Sequence, residues 1–353
     1  MESLQVANRV RALYQRGVPF FTRGAIQDLA HQLDRARGRF NDDTPGDSEE
    51  KFSLQSLDGR GVEIDNETGN TQPYFGTRDI IMIDPFLDYQ PYQHLIAVHK
   101  DVSHFFPKLA YCPLRINYHA CQREMSTKEV LPYLNCQPLE TVQEVFRAGI
   151  KAWEDSEDCR RLSLALTAPG IPGSITKVVA FACSTIAGGP VRDTSVRQHA
   201  MLLTIRSILQ SRLSQPSLQI ECYGQDPVYT EVDREVLGKA GITVLPDPRG
   251  FLEVDDSSVV LSFSPDAPVR QIVVDLARPA VLVWDKVMSE EETLQFWSDP
   301  SETWETLEEL EGTLSDPESP RLRRMIQTEY VEVGSLDELF GQARIYVRRS
   351  PRA

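Results

Sequence analysis

The sequence predicts an α/β fold: a doubly wound, mostly parallel sheet with helices on both faces. Two observations predict it. Between residues 176 and 290, short apolar runs alternate with amphipathic stretches at regular spacing. The first run, 178–183, passes through a turn of small and polar residues, 184–190, into a long amphipathic segment, 192–213. Strand, small-residue turn and helix are how a mononucleotide-type half begins. Right-handed crossovers would then set the strands in the order 3-2-1-4-5, with a topological switch point beside the first. Ligands of such sheets bind beyond the carboxyl ends of the strands.

Taken in order, residues 4–14 and 23–33 carry apolar residues at helical spacing, separated by Gly17, Pro19 and Thr22. Thr22 is a suitable N-cap. Residues 37–51 are charged and rich in Asp, Glu, Gly and Pro, the composition of a solvated linker. Residues 52–64 form two alternating runs around Asp58-Gly59-Arg60-Gly61, a hairpin signal. Residues 80–83 and 95–98 are strand-like pieces within an aromatic- and proline-rich region, 71–113. Residues 127–133, 139–153 and 155–166 are helical in pattern.

The alternating part then gives strands at 178–183, 218–223, 242–245, 258–263 and 280–284. Helices are expected at 230–239, ended by Gly241, and at 269–276. Beyond Met288 the chain is acidic, with Trp297, Trp304, Leu307 and Leu310 as a partial apolar stripe. This reads as a solvated helical cover or a partner-binding face. Residues 344–349 form a basic, strand-like piece.

The 353 residues are 41% apolar and 25% charged, ordinary for a globular chain, and the formal net charge is −15. That balance argues against a broad DNA-binding footprint or a polybasic membrane contact. No apolar run is long enough for a membrane span, and the N-terminus lacks a secretory pattern, so a cytoplasmic location is expected. The six cysteines contain no Cys-x-x-Cys pair. Cys112, Cys121 and His119 are close in sequence, but reduced buried cysteine is the commoner state, and no metal site is assigned.

Candidate chemistry gathers at the strand ends. Ser184 follows the first strand and is either a nucleophile or substrate anchor, or a turn serine that caps the next helix. Amides of residues 185–189 could bind an anion or an oxyanion. The turn has only Gly188 and Gly189 and no Gly-Lys-Ser/Thr, so neither NAD nor ATP is indicated and no cofactor is assigned. After the second strand, Asp226 and Tyr229 are candidates to face ligand. Thr230 and Asp233 are explained as helix caps. Ser264 and Asp266 after the fourth strand, and Asp285 with Lys286 after the fifth, put polar groups on the same edge. Capping is the plainer reading of Ser264. His199, alone on its helix, reads as a core or surface residue.

Residues 178–199, Tyr223-Gly-Gln-Asp-Pro-Val-Tyr229, Gly241-Ile-Thr-Val-Leu245 and Ser262-Phe-Ser-Pro265 resemble the SRR-like domain family, over about residues 140–290. Gly17-Val-Pro-Phe-Phe-Thr22 and the helical lead-in 139–153 resemble its filamentous-fungal branch, which includes arginine-containing cyclodipeptide synthases. The resemblance implies a Rossmann-like domain at 139–290, after an irregular N-terminal α+β lobe at 1–138 and before an acidic helical C-terminal cover at 291–353. It implies a synthase of secondary metabolism that uses arginyl-tRNA and a second aminoacyl-tRNA to form a diketopiperazine. By analogy of position with bacterial cyclodipeptide synthases, Ser184 would be the nucleophile. Asp226, Glu231 or Asp233 would hold the arginine guanidinium, with Tyr229 and Ser264 also at the substrate. The family equally admits a non-catalytic regulatory or scaffold protein, and a hydrolase or transferase using Ser184 on a small ester is a third reading. Two departures stand out. Neither Asp42-Asp43 nor Asp255-Asp256 is followed by Glu in the Asp-Asp-x-x-Glu spacing of the arginine-using group. An acidic chain would also need Arg321, Arg323, Arg324, Arg344, Arg348 and Arg349 on one face to hold tRNA.

Overall fold

The computed structural model describes residues 2–36, 51–97, 107–132, 134–188, 193–215, 217–296 and 306–350. Residues 37–50 of the expected 37–51 linker, residues 189 and 190 of the first turn with 191–192 after it, and Trp297 and Trp304 of the apolar stripe lie outside them. The chain divides into two compact units, Met1–Asn135 and Cys136–Ala353.

The first unit begins with α1 (Glu2–Gln15) and α2 (Arg23–Ala36). The Thr22 hydroxyl accepts from the Ala25 amide at 3.2 Å, as an N-cap does. Next come the hairpin β1 (Lys51–Gln55) and β2 (Gly61–Asp65), antiparallel as the Gly-rich turn requires. Gln32 of α2 clamps β1: its carboxamide accepts from the Ser53 amide at 2.8 Å and donates to the Ser53 carbonyl at 3.0 Å. β3 (Thr71–Pro73), β4 (Arg78–Tyr89) and β5 (Leu114–Glu124) form an antiparallel sheet, and α3 (Tyr92–Ile96) follows β4.

Two local expectations are corrected here. Leu95 and Ile96 belong to a helix rather than a strand, because Pro91 starts a turn whose carbonyl accepts from the His94 and Leu95 amides. Residues 127–132 are a return turn instead of a helix. Lys128 adopts a left-handed φ of 61°, and Val130 bridges back to Arg123.

The second unit starts with α4 (Leu139–Glu154) and α5 (Glu157–Thr167). It then alternates through β6 (Lys177–Phe181), α6 (Asp193–Ser211), β7 (Glu221–Gln225), α7 (Glu231–Lys239), β8 (Thr243–Val244), α8 (Arg249–Glu253), β9 (Ser258–Ser262), α9 (Val269–Leu276) and β10 (Val281–Asp285). Then follow α10 (Glu290–Phe296), α11 (Leu307–Glu311), α12 (Pro320–Glu329), β11 (Tyr330–Leu336), α13 (Asp337–Phe340) and β12 (Ala343–Arg348). The seven-stranded sheet runs β11-β12-β10-β9-β6-β7-β8. The five parallel strands stand in the expected 3-2-1-4-5 order, and the chain winds in opposite directions from β6 and β9.

The C-terminal part corrects the expectation of a helical cover. It does contain α10 to α13, but β12 also pairs antiparallel with β10, and β11 pairs antiparallel with β12. The reason is physical: Ile345 and Val347 alternate with Tyr346 and supply buried partners that leave β10 with no open edge.

Both faces of the sheet are buried, as a parallel sheet requires. On one face Val178, Ala180, Val259, Leu261, Val281 and Val283 join a single core with residues of α4, α5, α6 and α7. The alternate residues Val179, Phe181, Val260, Leu282 and Trp284 are buried on the opposite face. There Phe251 of α8 stacks on Phe181, ring centroids 4.4 Å apart.

Candidate functional site

The switch point lies between the carboxyl ends of β6 and β9, and each strand ends in a strained turn. After β6, Ala182 and Ser184 adopt left-handed φ values of 57° and 60°. Residues with a side chain rarely adopt such values unless their surroundings enforce them. Here the enforcement is visible. The Ala182 amide donates to the Gln225 carbonyl at 3.2 Å, and the Ser184 amide donates to the Asp226 carboxylate at 2.7 Å. The Ser195 hydroxyl of α6 donates to the Ser184 carbonyl at 3.0 Å. Ser184 is half-buried, and among the described residues its hydroxyl has no hydrogen-bond partner.

Asp233 is the hub behind this turn. It is fully buried. One carboxylate oxygen accepts from the Ile186 and Ala187 amides at 2.8 and 3.0 Å. The other accepts from the Thr185 hydroxyl at 2.6 Å and from the Thr230 amide and hydroxyl at 2.7 and 2.8 Å. The Thr230 hydroxyl in turn accepts from the Asp233 amide, which completes the capping box of α7. The Thr185 hydroxyl also accepts from the Ala187 and Gly188 amides. Two expectations are corrected by these bonds. Asp233 has no lone pair left for a guanidinium. The amides of residues 186–188 are committed inward and are not open to an anion or oxyanion.

Tyr229 also turns inward. It is buried, and its hydroxyl lies 2.7 Å from His199 Nε2. His199 Nδ1 lies 2.7 Å from the Ser195 carbonyl, so Nδ1 carries the proton and Nε2 accepts from the tyrosine. Burial pushes the His199 imidazole down to about 4, so it stays neutral near pH 7. Burial likewise raises the Tyr229 phenol and the Cys183 thiol beside it. Tyr229 is thus a structural partner of His199 and does not face the crevice. Glu231 faces solvent, its side chain 93% exposed, near Arg234 at 3.4 Å.

The turn after β9 repeats the first device. Ser264 has a left-handed φ of 43°, and its amide donates to the Asp285 carboxylate at 2.6 Å. Asp285 ends β10 as Asp226 follows β7. Burial raises the carboxyl groups of both aspartates above the ordinary range, and Asp266 adds repulsion at Asp226. Ser264 itself is exposed on the rim. Behind it, buried Arg270 bridges Asp316 at 2.7 Å and Glu318 at 3.1 Å and donates to the Asp316 carbonyl. The Ser315 hydroxyl donates to the Pro265 carbonyl at 3.0 Å.

The structure therefore brings Ser184, Asp226 and Ser264 to one edge, with Asp266 and Asp285. It removes Asp233 and Tyr229 into the interior and leaves Glu231 on the surface. Sequence reading gave Asp285 no role beyond its place after a strand and read His199 as a core or surface residue. The only signal for Asp285 was its position after the last parallel strand. The arginines considered for tRNA are largely engaged elsewhere: Arg321 pairs with Asp275, Arg323 with Glu311, Arg344 with Glu332 and Asp337, and Arg348 with Asp256. Among the described residues no cluster of three His, Cys, Asp or Glu side chains has the geometry to hold a metal ion, and no helix is long and apolar enough to cross a membrane.

Residues 172–338 match the family model of the SRR1 domain. The SRR1 match starts just before β6, contains the switch point and both strained turns, and runs through β11. It leaves α4 and α5 outside and takes in most of the C-terminal segment, so it lies further along the chain than the motifs suggested. No curated protein matches the chain.

Proposed function

We infer that this chain is an aminoacyl-tRNA-dependent acyl transferase of secondary metabolism, joining an arginyl group and a second aminoacyl group into a diketopiperazine. One observation carries the reading: an unengaged hydroxyl, Ser184, stands at the switch point of an α/β sheet beside the half-buried carboxylate of Asp226. The rim around it, Asp226, Asp266 and Asp285, favours a guanidinium or ammonium over a phosphate. In the first step the Ser184 oxygen attacks the ester carbonyl of arginyl-tRNA. The ribose hydroxyl leaves with the serine proton, and an arginyl ester forms on Ser184. The amine of the second aminoacyl-tRNA then attacks that ester and frees the serine. The arginyl amine finally attacks the remaining ester, closing the ring and releasing the second tRNA.

A second reading, a non-catalytic regulatory or scaffold protein, is favoured by a different observation. The amides of Ser184 and of residues 186–188 are all bonded internally, and His199 is bonded to Tyr229 rather than to Ser184. Expression in a bacterial host, followed by mass spectrometry of the medium for arginine-containing cyclic dipeptides, separates the two. The synthase reading expects a product that Ser184→Ala abolishes. Asp226→Asn keeps one of the two oxygens that accept from the Ser184 and Val228 amides and is expected to cut output at least tenfold by removing the charge opposite the guanidinium. Soluble protein with no product and no retention of labelled arginyl-tRNA would leave the scaffold reading.

A further inference from the structure

Among the described residues, three buried side-chain polar atoms have no hydrogen-bond partner: Gln198 Oε1, Ser262 Oγ and Trp284 Nε1. Two of them are neighbours. Ser262 and Trp284 pair in register on the parallel strands β9 and β10, and Ser262 is also in register with Phe181 of β6. Residues in register on adjacent strands share a face. Phe181, Ser262 and Trp284 thus form one row at the carboxyl ends of the strands, on the face away from the α4–α7 core. Ser262 is 1% exposed and Trp284 0%.

The rest of the same region is satisfied. Gln225, next in the row beside Phe181, accepts from the Gly250 amide at 2.6 Å and donates to Asp247 at 2.9 Å. Ser258, at the other end of β9, donates to the Asp255 carboxylate at 3.0 Å. A folded chain leaves few buried polar groups without partners, and orphans concentrate where something else completes them. Here they stand at the edge where α/β sheets take ligands.

We propose that the Ser262–Trp284 row is a second ligand subsite, beneath the acidic rim, that takes an uncharged amide or carbonyl group carried on an apolar or aromatic body. An indole N–H only donates, so the ligand must bring an acceptor. Phe181, stacked on Phe251, and Leu282 share this face, so the surroundings of the two orphan groups are apolar and suit an apolar body. A carboxylate is disfavoured as the acceptor, because Asp285 follows Trp284 directly and Asp226 and Asp266 stand on the same rim. The assignment builds on the crevice as a substrate site, where it would receive the uncharged partner of the arginyl group.

The test reads binding alone and needs no turnover. In protein labelled with 15N-tryptophan, Trp284→Phe assigns the indole signal of Trp284. N-acetylphenylalanine amide is expected to move that signal downfield, and the anionic N-acetylphenylalanine is expected to leave it in place. Ser262→Ala is expected to weaken binding of the amide about tenfold. It should also raise the melting temperature of the unliganded protein, because it deletes an unsatisfied buried hydroxyl. An indole signal unmoved by the amide at any soluble concentration overturns the proposal. Equal affinity of wild type and Ser262→Ala overturns it as well. A missing diketopiperazine in the expression experiment would sink the synthase reading and leave this result standing.

Discussion

The turns after β6 and after β9 begin alike and are supported differently. Each carries a serine in left-handed backbone, Ser184 or Ser264, whose amide is held by an aspartate at the end of the neighbouring strand. Behind the first turn stands Asp233, a buried carboxylate within the alternating part of the chain, fixed by the α7 capping box. Behind the second stands Arg270, whose partners Asp316 and Glu318 come from the segment leading into α12. The first is shaped by hydrogen bonds to one shared acceptor, the second by an ion cluster borrowed from a later part of the chain. Their failure should therefore look different.

The largest effect is expected at Asp233. Asp233→Ala strips the acceptor from the Ile186 and Thr230 amides and the Thr185 hydroxyl. Buried unsatisfied donors cost about 1–3 kcal/mol each, so a loss of about 4 kcal/mol is expected. Calorimetry should show the melting temperature down by roughly 10 °C; a drop of only a degree or two would remove Asp233 as the hub. Next comes Arg270→Met, which leaves Asp316 and Glu318 buried without a counter-charge, at a cost of about 3 kcal/mol. Adding Asp316→Asn should restore part of that loss in urea titrations. No recovery would show that the cluster does not act through charge balance.

A more gradual effect is expected from pH. His199 titrates at about 4 when folded, below its ordinary 6.5. Its contribution to stability is fully present above pH 6.5 and is lost as pH falls toward 4, with a slope of at most about 1.4 kcal/mol per unit. His199→Gln should flatten the melting temperature between pH 6.5 and 4, and an unchanged slope would assign the acid sensitivity to other groups. The smallest effect is expected at the half-buried start of the first turn. Ser184→Ala should change stability by no more than about 0.5 kcal/mol in chemical denaturation, since its hydroxyl makes no internal bond. A larger loss would mean the hydroxyl serves the fold.

The sheet order was legible because each parallel strand is a short apolar run set off by caps, and handedness leaves few ways to connect them. The capping of α7 was legible for the same reason, since Thr230 and Asp233 are three residues apart. What Asp233 does beyond its helix was not, because its bond to Thr185 crosses 48 residues and no local pattern encodes it. Tyr229 misled for a related reason: its position after a strand suggests ligand, while its partner His199 lies 30 residues back. The strand character of residues 344–349 was visible, but nothing local says that β10 is its neighbour.

That pairing has a consequence for synthesis on the ribosome. While the chain emerges, β9 can dock on β6 and β10 on β9 before the C-terminal strands are made. The outer edge of β10 must wait until Ala343–Arg348 has cleared the exit tunnel. During that interval an apolar strand, Val281–Asp285, presents unpaired backbone amides and carbonyls, the kind of edge that other nascent chains can add to. The last strand is thus also the seal on the nascent sheet, and a translational stall before residue 343 would leave it open.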